Sequence, residues 1–337
     1  MKFNWKIIFG ILILISLAFA KMETTPIYFD VPKGWPKPNY DFEANPLTEE
    51  GFQLGRRLFY DPILSRDNTI SCASCHLQAT GFTHIDHSLS HGIEGKIGTR
   101  NTLALMNLAW TKKFMWDGGV NHLDIQPLAP ITSAVEMDET LENVVSKLQK
   151  SEKYRDLFEK AFGTSKITGQ LALKALSQFA LQLVSSNSKY DKVMRKEAVF
   201  TLQEQKGYEL FINNCASCHK EPLFTSDKFE NNGLQIDTTL NDIGRMKITN
   251  KQEDYLRFKV PTLRNVQYTF PYMHDGRFKT LTEVVKHYNS LKNDKNLSKQ
   301  LSKPMNLSDN DRVDLVAFLK TLTDTDFLFD KRFNYPR

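Results

Sequence analysis

Cys72-Ala-Ser-Cys75-His76 recurs letter for letter as Cys215-Ala-Ser-Cys218-His219, and the two copies use all 4 cysteines of the chain. Two cysteines at this spacing can form disulfides, bind zinc or act as a dithiol redox pair. The histidine directly after each pair points elsewhere. In Cys-x-x-Cys-His the two thiols form thioethers to a porphyrin and the adjacent imidazole reaches its iron. With no cysteine to spare, the doubled motif predicts two covalent c-type haems. Cys72, Cys75 and His76 would hold one; Cys215, Cys218 and His219 would hold the other.

What each iron does depends on its second axial position. A Met or His there closes the iron for electron transfer, whereas an open position admits peroxide or oxygen. In "TLTEVVKHYN", residues 280–289, Thr280 and Glu283 form a capping box that starts a helix. Leu281, Val284, Val285 and Tyr288 then share one apolar face, with His287 turned roughly 100° to the flank. An inward tyrosine is commonly a core residue with a hydrogen-bonded hydroxyl; here it is also a candidate ligand, in competition with Met273 and His274 of "PYMHDG". After the first motif come His84, His87 and His91, each a candidate cap or a plain surface histidine. Trp116, Gln126 and Glu136 follow. A tryptophan between two haems can relay electrons, and a carboxylate over an open haem can move the proton that O–O cleavage needs. A core tryptophan and a solvated glutamate are the plain alternatives.

The elements around these residues read as helices. Gly55-Arg-Arg-Leu-Phe59 precedes the first motif as Gly207-Tyr-Glu-Leu-Phe211 precedes the second, so the repeat is wider than five letters. The first copy has the longer connector, "YDPILSRDNTIS". Leu141, Val144, Val145 and Leu148 make one helical stripe; Leu171, Ala175, Phe179 and Leu183 make another. Ser308 and Asp311 cap a closing amphipathic helix over 308–322. No run of alternating β-branched residues suggests a large sheet. The expected fold is mainly α: two tandem cytochrome c-type domains, 40–195 and 196–327.

The chain has 337 residues, 41% hydrophobic and 25% charged, with a formal charge of +5. Residues 1–20 differ from the rest. Lys2 and Lys6 precede an apolar run from Ile7 to Leu17, and Ala18-Phe19-Ala20 fits a cleavage site. This reads as a secretory signal peptide, too short in its apolar part for a full membrane span. Cleavage would leave a periplasmic protein with no stable membrane insertion and a charge of +3, too weakly basic to argue for nucleic acid.

Over about residues 40–325 the chain resembles the bacterial dihaem cytochrome c peroxidases, including the branch of MauG, which matures a tryptophan-derived cofactor in another protein. The resemblance rests on the paired motifs, "GTRN" at 98–101, "WDG" at 116–118, Gln126, "VEM" at 135–137 and "VPTLRNVQYTFPYMHDGRF" at 260–278. It implies that the His76 haem is peroxidatic and the His219 haem collects electrons. Trp116 matches the tryptophan between the haems, Glu136 the distal acid and Gln126 a distal amide. Asn101 matches a ligand of a calcium ion between the domains, and Pro261 lies in the segment whose carbonyls complete that site. Tyr288 stands where the common peroxidases place a Met ligand and MauG a tyrosine. A tyrosinate there would stabilise ferric iron and lower that haem's potential. His91, in "SHGIEG", matches the histidine that caps the peroxidatic iron of the common peroxidases at rest, which MauG lacks. Gly119 replaces the arginine commoner after "WDG" in the family.

The expected activity is reduction of hydrogen peroxide to water with electrons from a small cytochrome c or cupredoxin. The alternatives are a MauG-like enzyme, whose peroxide-derived high-valent haem oxidises residues of a partner protein, and a non-catalytic dihaem electron carrier. The family also implies a homodimer.

Overall fold

The computed structural model describes residues 23–292 and 294–336. The signal-peptide reading of 1–20 lies outside the described residues. No helix among the described residues is long and apolar enough to cross a membrane.

Each half is built on two helices that cross at a glycine. Helix α1 (Glu49–Tyr60) starts at Thr48, whose hydroxyl accepts the Gly51 N–H at 3.0 Å, and carries Glu49 and Glu50 where the helix dipole favours acid. Helices α2 (Leu141–Lys150) and α3 (Glu152–Phe162) bring Val144, Leu148, Tyr154 and Phe158 to the first core. They lead to α4 (Gly169–Leu181), whose buried Ala175 and Phe179 are the middle of the expected stripe; Leu183 falls just past its end and is also buried. A side chain at Gly55 would collide with the Ala175 carbonyl, so only glycine lets α1 lie this close to α4.

The second half repeats the device. The short α5 (Lys189–Met194) places Tyr190 in the second core, and α6 (Leu202–Asn214) follows from a Thr201–Glu204 capping box. A side chain at Gly207 would meet the Asp314 carbonyl of the closing helix. Helices α7 (Leu281–Asn289) and α8 (Asp309–Lys320) begin at the capping boxes Thr280–Glu283 and Ser308–Asp311, as their sequences predict. Phe59, Phe82 and Phe179 in the first core have counterparts in Phe211, Phe224 and Phe318 of the second, all fully or nearly fully buried. Each such ring contributes roughly 1.5–3 kcal/mol by leaving water.

The sheet is minimal: β1 (Phe229–Glu230) pairs antiparallel with β2 (Phe258–Lys259). The chain then returns to its start. Phe327, Leu328 and Phe333 pack into the first core, and the Tyr60 hydroxyl donates to the Phe333 carbonyl at 2.7 Å.

Candidate haem centres and the cavity between them

Cys72–Cys75 forms a single helical turn that puts both thiols on one side, and the His76 N–H closes it on the Cys72 carbonyl at 3.0 Å. The second motif closes the same way, His219 N–H to Cys215 carbonyl, at 2.9 Å. All four cysteines are free thiols. His76 Nδ1 lies 2.7 Å from the Phe82 carbonyl; His219 Nδ1 lies 3.2 Å from the Phe224 carbonyl and 3.1 Å from the Pro261 carbonyl. A proton held on Nδ1 by a carbonyl leaves Nε2 with a lone pair for metal. Burial pushes both imidazoles down to about 4, so they are neutral, and pushes the Cys72 and Cys215 thiols up to about 12. Among the described residues no three His, Cys, Asp or Glu side chains are grouped so that they could hold a metal ion. One cavity of about 730 Å³ reaches Cys75, His76, Cys215, Cys218 and His219. Paired thiols, a neutral imidazole with a free Nε2, and a cavity beside them are what a covalent haem requires.

Gln126, Glu136 and Met115 share the wall of this cavity with His76. Burial raises the Glu136 carboxyl above its usual range, with the Ser133 side chain pulling the other way. The Gln126 amide lies 3.8 Å from the Met115 sulfur. The His91 loop is tied to both Cys75 and Glu136. The Cys75 thiol donates to the His91 carbonyl at 3.2 Å, and the Ile93 N–H donates to the Glu136 carbonyl at 2.8 Å. The His91 ring packs on His87, centroids 4.0 Å apart, and His87 stacks on His84 at 5.4 Å. The loop lends Ser90 and Gly98 to the cavity wall, while the three rings form their own stack.

Trp116, 8% exposed, lines the same cavity as His76 and His219. Its indole N–H donates to the Asn101 carbonyl at 2.8 Å, and the Asn101 N–H donates to the His274 carbonyl at 2.7 Å. The Asn101 side-chain amide donates to the Ser88 carbonyl at 2.9 Å. Arg100, its neighbour, spans the halves: it reaches Asp242 at 2.6 and 2.9 Å and Asp117 at 2.6 Å.

Tyr288 lines the cavity from α7, as Cys215 and Cys218 do from the second motif. Burial pushes the Tyr288 hydroxyl up to about 12, with Asn232 opposing. The same Asn232 donates to the Met273 sulfur at 3.3 Å, and its carbonyl faces His287 Nε2 at 2.9 Å. Tyr288 and Met273 thus both lie at the second centre. His274 is occupied otherwise: its ring stacks on Phe258 at 3.7 Å.

The internal repeat extends into this wall. "FMWDGGV" at 114–120 and "YMHDGRF" at 272–278 make the same turn, closed by the bridges Phe114–Val120 and Tyr272–Phe278. Met115 and Met273 share the left-handed conformation, φ 66° and 76°, as do Gly118 and Gly276, φ 72° and 66°. Trp116 and His274 are therefore equivalent positions joined through Asn101.

Sequence reasoning did not single out Arg100, Asn232, Asp242, Lys259 or Arg264. Arg100 and Arg264 sit inside "GTRN" and "PTLRN", so a signal was present. Asn232 and Asp242 lie in irregular chain with no pattern to mark them. Lys259 also lines the cavity, and burial lowers its amine from the usual lysine range.

Comparison with known proteins agrees with this architecture. Residues 49–199 match the family described as di-haem cytochrome c peroxidase, and residues 204–323 match cytochrome c. The chain is 36% identical over 307 residues to the methylamine utilization protein MauG of Methylorubrum extorquens, covering 87% of this chain and 83% of the relative. It is 34% identical to the cytochrome c551 peroxidase of Nitrosomonas europaea, covering 83% and 82%. Among solved structures, a MauG-like protein associated with microbial copper homeostasis superposes with a TM-score of 0.84 at 32% identity, covering 92% of this chain and 99% of that one. The diheme peroxidase BthA of Burkholderia thailandensis, at 23% identity and a TM-score of 0.74 over 86% of this chain and 90% of its own, shares the fold.

Proposed function

Because the chain belongs to the di-haem cytochrome c peroxidase family and so carries two c-type haems, we propose that it reduces hydrogen peroxide to water at the His76 centre. The observation that carries this reading is the half-buried Glu136, with its raised carboxyl, on the same cavity wall as His76 and Gln126. A haem bound at each centre supplies the iron that exchanges electrons with peroxide or with a donor. The protein supplies the rest. His76 and His219 present Nε2 as the proximal ligands. Glu136 would accept a proton from one peroxide oxygen and return it to the other, the proton movement that O–O cleavage needs. Gln126 orients the peroxide by hydrogen bonding. Trp116 stands between the centres as the electron relay. Two electrons and two protons convert one peroxide to two waters; the electrons enter at the His219 centre from a small cytochrome c or cupredoxin.

Tyr288 would help hold the iron of the haem carried on His219, with Met273, held by Asn232, the alternative. His91 serves as a reversible cap of the first centre, which requires its ring to leave the stack with His87. A calcium ion between the domains would draw on Asn101 and the carbonyls near Pro261. The Pro261 carbonyl already faces His219 and the Asn101 carbonyl holds Trp116, so no step is assigned to that ion. The working protein is exported to the periplasm after removal of residues 1–20, and forms a homodimer as in the family.

A second reading keeps the chemistry and changes the substrate: oxidising equivalents leave the cavity for a docked partner protein, as in MauG. Tyr288 beside Cys215 and Cys218 favours it. Peroxide consumption coupled to oxidation of a reduced monohaem cytochrome c separates the readings. Rapid multiple turnover supports the peroxidase; slow turnover with a normal reaction of peroxide at the His76 centre supports the partner-modifying enzyme. No reaction with peroxide at either centre leaves an electron carrier.

A further inference from the structure

Among the described residues, most charged side chains lining the cavity are either paired within the chain or open to water. Arg100 is held by Asp117 and Asp242 at 2.6 Å each. Lys112 lies 3.6 Å from Asp227, Glu230 takes Arg257 at 3.2 Å, and His274 lies 3.8 Å from Asp275. Lys37 and Lys247 are exposed to water. Glu136 has no cation beside it, and burial favours its neutral form. Lys259 is the cation left over. It lines the cavity and is half-buried, and none of the described carboxylates comes within the 4.0 Å of an ion pair. Asp227, the acid whose field it feels, is the one that faces Lys112.

The position of Lys259 is set by its backbone. Its N–H donates to the Trp116 carbonyl at 2.7 Å, and it pairs with Phe229 across the two-stranded sheet. Alternation along the strand sends the neighbouring Phe258 to the buried face, where it stacks on His274, and Lys259 to the other. Two residues on, the Pro261 carbonyl meets His219. Lys259 is thereby fixed between Trp116 and the proximal loop of the second centre. An ammonium drawn out of water without a counter-charge is destabilising, so a cavity that holds one is built to receive an anion. Each haem brings two propionate carboxylates, and the family membership brings two haems.

We propose that Lys259 binds a propionate of the haem carried on His219 and holds it ionised beside Trp116. Ammonium to carboxylate is a charge-assisted hydrogen bond that favours the anionic propionate over its acid. It orients that haem edge toward the tryptophan. The inference rests on the two haems alone and not on the peroxidase reading, so either can fail without the other.

The test is a spectroelectrochemical titration of the holoprotein and its Lys259→Met, Lys259→Gln and Lys259→Arg variants at a series of pH values. Wild type and Lys259→Arg should keep a nearly pH-independent potential at the His219 haem across the mildly acidic range. In Lys259→Met the potential of that haem should fall by about a tenfold change in the ferric–ferrous ratio, about 59 mV for one electron. It should also become pH-dependent on the acid side, because a released propionate takes up a proton on reduction. Lys259→Gln, a hydrogen-bonding side chain without the charge, gives the same reading where the Met variant does not mature. Wild-type potentials and a flat profile in whichever neutral variant carries both haems would overturn the proposal. So would a change confined to the His76 haem.

Discussion

The carbonyl of Trp116 accepts the backbone N–H of Lys259 at 2.7 Å. One residue belongs to the first half of the chain and the other to the strand that leads to the proximal loop of His219. With the indole N–H on Asn101 and the Asn101 N–H on His274, the tryptophan is held from two sides. A side chain placed by backbone groups keeps its position without depending on any flexible side chain.

Glu136→Gln keeps the shape of the distal wall and removes the proton acceptor. Peroxide turnover should fall by about 10²–10⁴-fold, while peroxide still binds. Burial raises the wild-type carboxyl above its usual range, so activity that needs the ionised form should fail as pH drops through that raised value. The variant should lack this acid limb. Stopped-flow traces identical to wild type would remove Glu136 from the mechanism.

Gly92 has ordinary extended dihedrals, φ −128° and ψ −155°, so its role is space rather than backbone freedom. A Cβ there would collide with the Val135 carbonyl and with Glu136. Gly92→Ala should push the His91 loop off the Glu136 segment, cost about 1–3 kcal/mol in denaturant unfolding, and lower peroxide turnover along with it. A fully stable, fully active variant would show that the loop and the distal acid are not coupled.

Tyr288→Met replaces an oxygen ligand candidate with a thioether at the second centre. A redox titration should find that haem's potential raised, since loss of an anionic oxygen ligand favours ferrous iron. An unchanged potential would assign the iron to Met273, which Asn232 already holds at 3.3 Å from its amide.

Arg264 is fully buried, pairs with Asp191 at 2.9 and 2.8 Å, and lies over the Trp35 ring at 4.6 Å. Arg264→Met strands Asp191 and should cost about 3–5 kcal/mol in denaturant unfolding. Burial alone would raise the Asp191 carboxyl, but the Arg264 guanidinium holds it below the usual range. Its stabilisation is therefore present above the unfolded-state carboxyl value and is lost as pH falls through the lower folded one. Arg264→Met should flatten that part of the acid-unfolding curve. A loss under about 1 kcal/mol would contradict an uncompensated buried charge.

The features legible in sequence are those whose physics is local. A Cys-x-x-Cys-His motif fits in one helical turn, and a capping box spans four residues, so Cys72–His76, Cys215–His219, Thr280 and Ser308 announce themselves. Helical periodicity likewise places Tyr288 on the apolar face of α7, which lines the cavity. The duplication was visible around the motifs but not in "FMWDGGV" and "YMHDGRF", where the shared feature is a left-handed turn rather than a run of identical letters.

By itself the sequence determined the mainly helical fold of two tandem cytochrome c-type domains and the family. It could not determine which side chains meet across the cavity. Arg100 finds Asp242 across 142 residues, and Asn232 finds Met273 across 41. The His91 ring, a candidate cap of the first centre, packs on His87, and its loop is held by the Ile93 N–H on the Glu136 carbonyl. Such contacts are decided by how the two halves close on each other. Closure is governed by the buried faces of whole helices, and no short stretch of residues encodes it. The same closure leaves Lys259 with a charge and no partner in the chain, a fact no motif carries and only the assembled cavity reveals.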